Sequence, residues 1–206
     1  MSDPDDSTPR RRALALEWAT IAWNTGEVFI TIALGFGARS LALVAFGLDA
    51  VVEVFASLVV VWHVGTAGRS QTPERTRHAL RLVALAFAVL AASLTIGAVG
   101  VIASGHRAGE SGWGIAYLAM TALVMFALAL AKRRTAATLG SQPLSAEAML
   151  TLLDGGLAIG ILLALVANAT LGWWWADPVA TLLVAAAALA EAGESWRDGA
   201  GDSVAL

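Results

Sequence analysis

The chain has 206 residues, of which 58% are hydrophobic and only 14% charged, with a mean hydropathy of +0.72. A soluble domain carries about 25% charged residues, so this balance describes a membrane protein. No cysteine is present, which excludes disulfides, thiolate metal sites and thiol nucleophiles. The net charge of −3 points to neither nucleic acid nor an anionic lipid surface as a partner.

The opening MSDPDDSTPRRR is polar, contains proline and turns from acidic to basic, so residues 1–12 are expected to form a disordered cytoplasmic tail. The first apolar segment, Ala13–Phe36, is interrupted by Glu17, Asn24 and Glu27. It is too long for a secretory signal and has no small-residue cleavage site, so it reads as a retained helix. Further apolar runs cover Leu41–Val64, Ala79–Ser104, Trp113–Ala131, Ala146–Ala169 and Pro178–Ala192. Each approaches or reaches the ~17–25 residues that cross a hydrocarbon core. The fold expected is an all-α, six-helix transmembrane bundle over residues 13–196, followed by a short cytoplasmic tail, 197–206, with no cytoplasmic C-terminal domain.

An even number of spans puts both termini on one side, and arginine and lysine choose that side. Arg10, Arg11, Arg12, Arg69, Arg75, Arg77, Arg81, Lys132, Arg133, Arg134 and Arg197 fall on the side of the termini, whereas only Arg39 and Arg107 fall opposite. The termini are therefore expected in the cytoplasm. Gly26 and the Gly156-x-x-x-Gly160 pair fit close helix packing. Trp173, Trp174 and Trp175 stand where an aromatic belt would meet the outer interface.

The second span holds the most informative residues. In FGLDAVVEVFASL, Asp49 and Glu53 lie in the middle of the membrane and four positions apart, on one helical face. A charged side chain at that depth costs roughly 2.5–3.5 kcal/mol on insertion scales. Two carboxylates so close must share a proton or hold a cation. By position along the spans, no lysine or arginine reaches the central region to neutralise them. The first span adds Asn24 and Glu27, and the fifth adds Asp154 with Thr151 and Glu147 on one side. Carboxylates on three helices without a counter-ion describe a site for a divalent metal ion, which oxygen donors from separate helices can surround. Glu17 and Glu191, near the cytoplasmic span ends, are either solvated by snorkelling or stand along the path to such a site. His63, His78 and His106 flank loops and are not expected as core ligands.

The stretch SLALVAFGLDAVVEVFAS resembles the second-helix signature of the cation diffusion facilitator (cation efflux) family, with Asp49 and Glu53 at its two acidic positions. SAEAMLTLLDGG is similar to the fifth-helix segment, with Asp154 at the acidic position and Leu150 where histidine or aspartate usually stands. Ala176-Asp177-Pro178-Val179-Ala180 is similar to the start of the family's sixth helix. More closely, the chain looks like a short branch with N-x-x-E in the first helix and W-W-A-D-P before the sixth. The resemblance implies export of a divalent metal, zinc or a similar transition metal, usually against inward proton movement. Asp49, Glu53 and Asp154 would then be the primary ligands, completed by Glu27 and Asn24. It also implies a homodimer, although without the module that usually supports one.

A buried carboxylate is held by a proton or by a metal ion, and exchange requires that the two exclude each other. An all-oxygen set suits Mn²⁺ or Mg²⁺ as well as Zn²⁺, so zinc rests on the resemblance and not on the ligands. No organic cofactor is implied. The competing reading is a non-transporting membrane scaffold or regulator that keeps the fold, favoured by Leu150 and by the expected lack of a cytoplasmic C-terminal domain. An enzyme is disfavoured, since H-E-x-x-H, G-x-S-x-G and P-loop motifs are missing. The Ala-rich, Lys-poor composition is compatible with a bacterial inner membrane.

Overall fold

The computed structural model describes residues 7–38, 41–65, 72–105 and 112–200. They form α1 (Ser7–Ala38), α2 (Leu41–Gly65), α3 (Pro73–Ser104), α4 (Gly112–Leu139), α5 (Gln142–Leu171) and α6 (Ala176–Ala200), with no strand among the described residues. Four described stretches are long and apolar enough to cross a bilayer, namely Pro73–Ser104, Ala116–Leu139, Gln142–Ala164 and Pro178–Ala200. Helices α1 and α2, at 32 and 25 residues, also have the length to cross.

Consecutive helices run antiparallel, and contacts at their ends show it. Arg10, near the start of α1, donates from Nε to the Val64 carbonyl at 3.0 Å and from a terminal nitrogen to the Gly65 carbonyl, capping the end of α2. This contact accounts for a difference from the expected tail: Ser7–Arg12 is already helical. At the other end of the chain, α6 runs on to Ala200, past the expected boundary, because Gly199 packs against the Arg77 backbone and the Arg81 side chain of α3. Arg39, Arg69, Arg107 and His106 of the loop reading lie outside the described residues.

The α4–α5 turn is specified locally. Gly140 adopts φ +60°, and Ser141 N–H returns to the Ala136 carbonyl at 3.1 Å, which ties off the last turn of α4. Ser141 Oγ in turn accepts the Leu144 N–H at 3.5 Å, capping α5. At the opposite end of the bundle, Gly172 at φ +71° leads into exposed Trp173, Trp174 and Trp175.

The tightest pairings are α3 with α6, α1 with α2 and α4 with α5, whereas α1–α4 and α2–α5 touch sparingly. The apolar core joins α2, α3, α5 and α6 through Val52, Phe87, Leu90, Leu150, Leu157 and Ala188. Small residues permit close approach, at Gly160 as the sequence pattern suggests and at Gly155, but not at Gly26 or Gly156. Gly26 and Gly156 have no neighbour within 4 Å of an added Cβ, whereas at Gly155 that atom would lie 3.2 Å from Met125 Cβ and at Gly160 3.2 Å from Ala180 Cβ. The α4 and α6 surfaces therefore meet two different glycines of α5.

Candidate cation site

Four helices turn a polar stripe into the bundle, each at the three-to-four-residue interval of a helix face. Helix α1 presents Glu17, Thr20, Asn24 and Glu27; α2 presents Asp49, Glu53 and Ser57; and α5 presents Glu147, Thr151 and Asp154. All of these are buried. The three acidic helices picked out in the sequence do converge. Helix α4 supplies a fourth stripe that sequence reasoning missed, with Thr121 and Lys132 buried and Tyr117 half-buried.

The stripes form two layers, about 10 Å apart from the seven-residue rise between Glu147 and Asp154. In the layer farther from the termini, Asp49 and Asp154 meet side chain to side chain across the α2–α5 boundary. Glu27 lies close enough to Asp49 to repel it, and the Tyr117 hydroxyl reaches Glu27 from α4. Such a carboxyl pair holds together only through a shared proton or a cation. Asp49 Oδ2, Asp154 Oδ2, both Glu53 oxygens and both amide atoms of Asn24 find no hydrogen-bond partner among the described residues. Buried polar atoms are ordinarily paired, so these unpartnered oxygens suit a positively charged ligand. Among the described residues, no three carboxylate or imidazole groups close on one point as a metal site would require. The donors share a region without being drawn to ligand distance.

The second layer overturns the expectation that no basic side chain reaches the carboxylates. Lys132, counted above among the cytoplasmic charges, is fully buried and points into the bundle. Its Nζ donates to Glu147 Oε1 at 2.6 Å, Glu147 Oε2 at 2.7 Å and Thr151 Oγ1 at 3.1 Å, and lies 3.5 Å from Glu17 Oε2. Ser57 Oγ donates to Glu147 Oε1 at 2.9 Å. The sequence held a signal for this. Tyr117, Thr121, Met125 and Ala129 recur at four-residue steps, and the same face reaches Lys132, while Arg133 and Arg134 turn outward. Glu53, one turn from both Asp49 and Ser57 on α2, lies between the layers and feels both Lys132 and Asp49.

Glu191 is not brought to either layer. It is half-buried and lines a separate cleft of about 280 Å³ with Arg133, Glu194 and Asp198, at the termini end of α3, α4, α5 and α6. Leu150, in the position where the resemblance called for a ligand, is buried in the apolar core. His63, in the last turn of α2 beside the loop it was read as flanking, is buried as well.

No curated protein matches the chain. The family model described as the cation efflux transmembrane domain matches residues 18–202, which takes in the greater part of all six helices and every residue of both layers except Glu17. With the buried acidic stripes and the apolar helices in place, that match settles kinship: the chain belongs to the cation efflux family, and it is an integral membrane cation transporter of that kind.

Proposed function

We propose that the protein carries a divalent metal ion, zinc or a similar transition metal, out of the cytoplasm in exchange for protons. Asp49, Glu53 and Asp154 serve as principal ligands, Glu27 and Asn24 complete the set, and residues 13–196 form the transporting unit. The observation that carries the reading is the set of unpartnered oxygens of Asp49, Glu53 and Asp154, buried where two helices meet. Desolvated acceptors on separate helices are repaid by a hard or borderline cation. Protons can replace that ion because each carboxylate binds one or the other. Glu147, Thr151 and Glu17 line the route on the termini side, and Glu191 stands at the cleft beyond it. A bacterial inner membrane and a homodimeric assembly complete this proposal.

The test is metal flux in proteoliposomes under an imposed pH gradient, with Zn²⁺, Mn²⁺, Co²⁺, Fe²⁺ and Cd²⁺ in turn. Asp49→Asn combined with Glu53→Gln is the control. Flux in the wild type that the control abolishes supports the reading and names the ion. Equal silence of folded wild type and control for every metal sinks it and leaves the scaffold reading.

A further inference from the structure

A carrier whose cargo site lies at Asp49, Glu53 and Asp154 has no evident use for a buried ammonium, yet Lys132 is fully inaccessible. Its surroundings are those of a cation site. Two Glu147 oxygens, Thr151 Oγ1 and Glu17 Oε2 lie 2.6, 2.7, 3.1 and 3.5 Å from Nζ. Ser57 Oγ, 2.9 Å from Glu147 Oε1, fixes the orientation of that carboxylate. The donors come from α1, α2 and α5, the ammonium from α4, and each of these five side chains is 0% exposed. Glu17 Oε1 has no hydrogen-bond partner among the described residues, so the cage has donor capacity that the lysine does not use.

Two carboxylates and two hydroxyls are hard oxygen donors of the kind that take up divalent cations. We propose that Glu17, Ser57, Glu147 and Thr151 form a second cation site whose resident ion is the ammonium of Lys132. Being tethered to α4, that ion cannot be transported. It keeps the cage filled, so that a cargo ion passing toward Asp49 and Asp154 meets one site and not two. Glu53 is the residue through which the two sites sense each other, since it stands one turn from Asp49 and one turn from Ser57. The identity of the cargo rests on the reading above; the existence of the second cage does not.

The experiment counts bound Mn²⁺ and Zn²⁺ per chain by calorimetry on the full chain in detergent, for wild type, Lys132→Met and Lys132→Arg. Lys132→Met is expected to bind one ion more than wild type, whatever number wild type binds, and Lys132→Arg the same number as wild type. Adding Glu147→Gln to Lys132→Met is expected to abolish the extra ion. Equal counts in wild type and Lys132→Met overturn the proposal. Should Lys132→Met fold only when metal is present, the count is made in that metal, again with one ion more than wild type expected and an equal count overturning the proposal. Should it fail in both conditions, Lys132→Ala, which leaves all four cage residues in place, carries the test, again with one extra ion expected and an unchanged count overturning it. A wild type that binds nothing counts against the cargo site alone and is distinguishable from failure of the second cage.

Discussion

Lys132 Nζ bridges both carboxylate oxygens of Glu147, at 2.6 and 2.7 Å, with neither side chain exposed. Removing one partner of a buried pair leaves an uncompensated charge, at a cost of about 3–5 kcal/mol. Glu147→Ala should therefore lower stability in detergent by that amount. The double variant Lys132→Met with Glu147→Leu should recover part of it, because the ammonium is no longer stranded and only Glu17 is left without its partner. Denaturation of both variants checks this, and a double variant no more stable than the single one would contradict it.

Metal bound only by the folded state raises the melting temperature. At a hundredfold excess over Kd, the stabilisation is about 2.7 kcal/mol. The wild type should show this shift with the metal identified by flux, and Asp154→Asn should lose most of it. Equal shifts in the two proteins would remove Asp154 from the ligand set.

Tyr117 is the only tyrosine of the chain, and its hydroxyl reaches Glu27. Tyr117→Phe should cost at most about 1.5 kcal/mol, the upper end for one hydrogen bond. In a Glu27→Gln background the same change should cost measurably less, since residues in contact do not act independently. Full additivity in the double-mutant cycle would break the link between them.

Gly155 and Gly156 are neighbours with opposite prospects. A Cβ at Gly155 would meet Met125 Cβ at 3.2 Å and Phe126 at 3.3 Å, whereas one at Gly156 meets nothing within 4 Å. Gly155→Val should destabilise by about 1–3 kcal/mol through overpacking. Gly156→Ala should be neutral or should stabilise by up to about 1 kcal/mol from helix propensity. Thermal denaturation of the two variants side by side decides it, and a reversed order would refute the α4–α5 contact.

The helices and the three acidic stripes were legible because period and depth are properties of sequence alone. Asp49 with Glu53, and Glu147 with Thr151 and Asp154, had to share faces once their spans were helical. Lys132 was misplaced because it opens the run Lys132-Arg133-Arg134, and counting charges toward topology treats such a run as one solvated block. The structure separates the first residue from the next two by the rotation of a single helix. Of the close glycine contacts, Gly160 was legible from the Gly-x-x-x-Gly pair and Gly155 was not, for a related reason. A Gly-x-x-x-Gly spacing identifies a groove but not the neighbour that fills it, and here Gly155 and Gly160 each meet a different helix. The first turns of α1 were read as tail because their stabilising contact, Arg10 on the end of α2, is remote in sequence.

The tied-off turn at Gly140 and Ser141 makes α4 and α5 a single lever. Lys132 and Glu147 both lie within about two turns of it, on opposite arms of one stiff hairpin. A motion that parts this hairpin from α1 and α2 leaves their bond whole and stretches Lys132 to Glu17 and Ser57 to Glu147 instead. The Lys132–Glu147 ion pair, at 2.6 Å, would thus travel with the moving body. Lys132 to Glu17 at 3.5 Å and Ser57 to Glu147 at 2.9 Å are the contacts that such a motion would have to break.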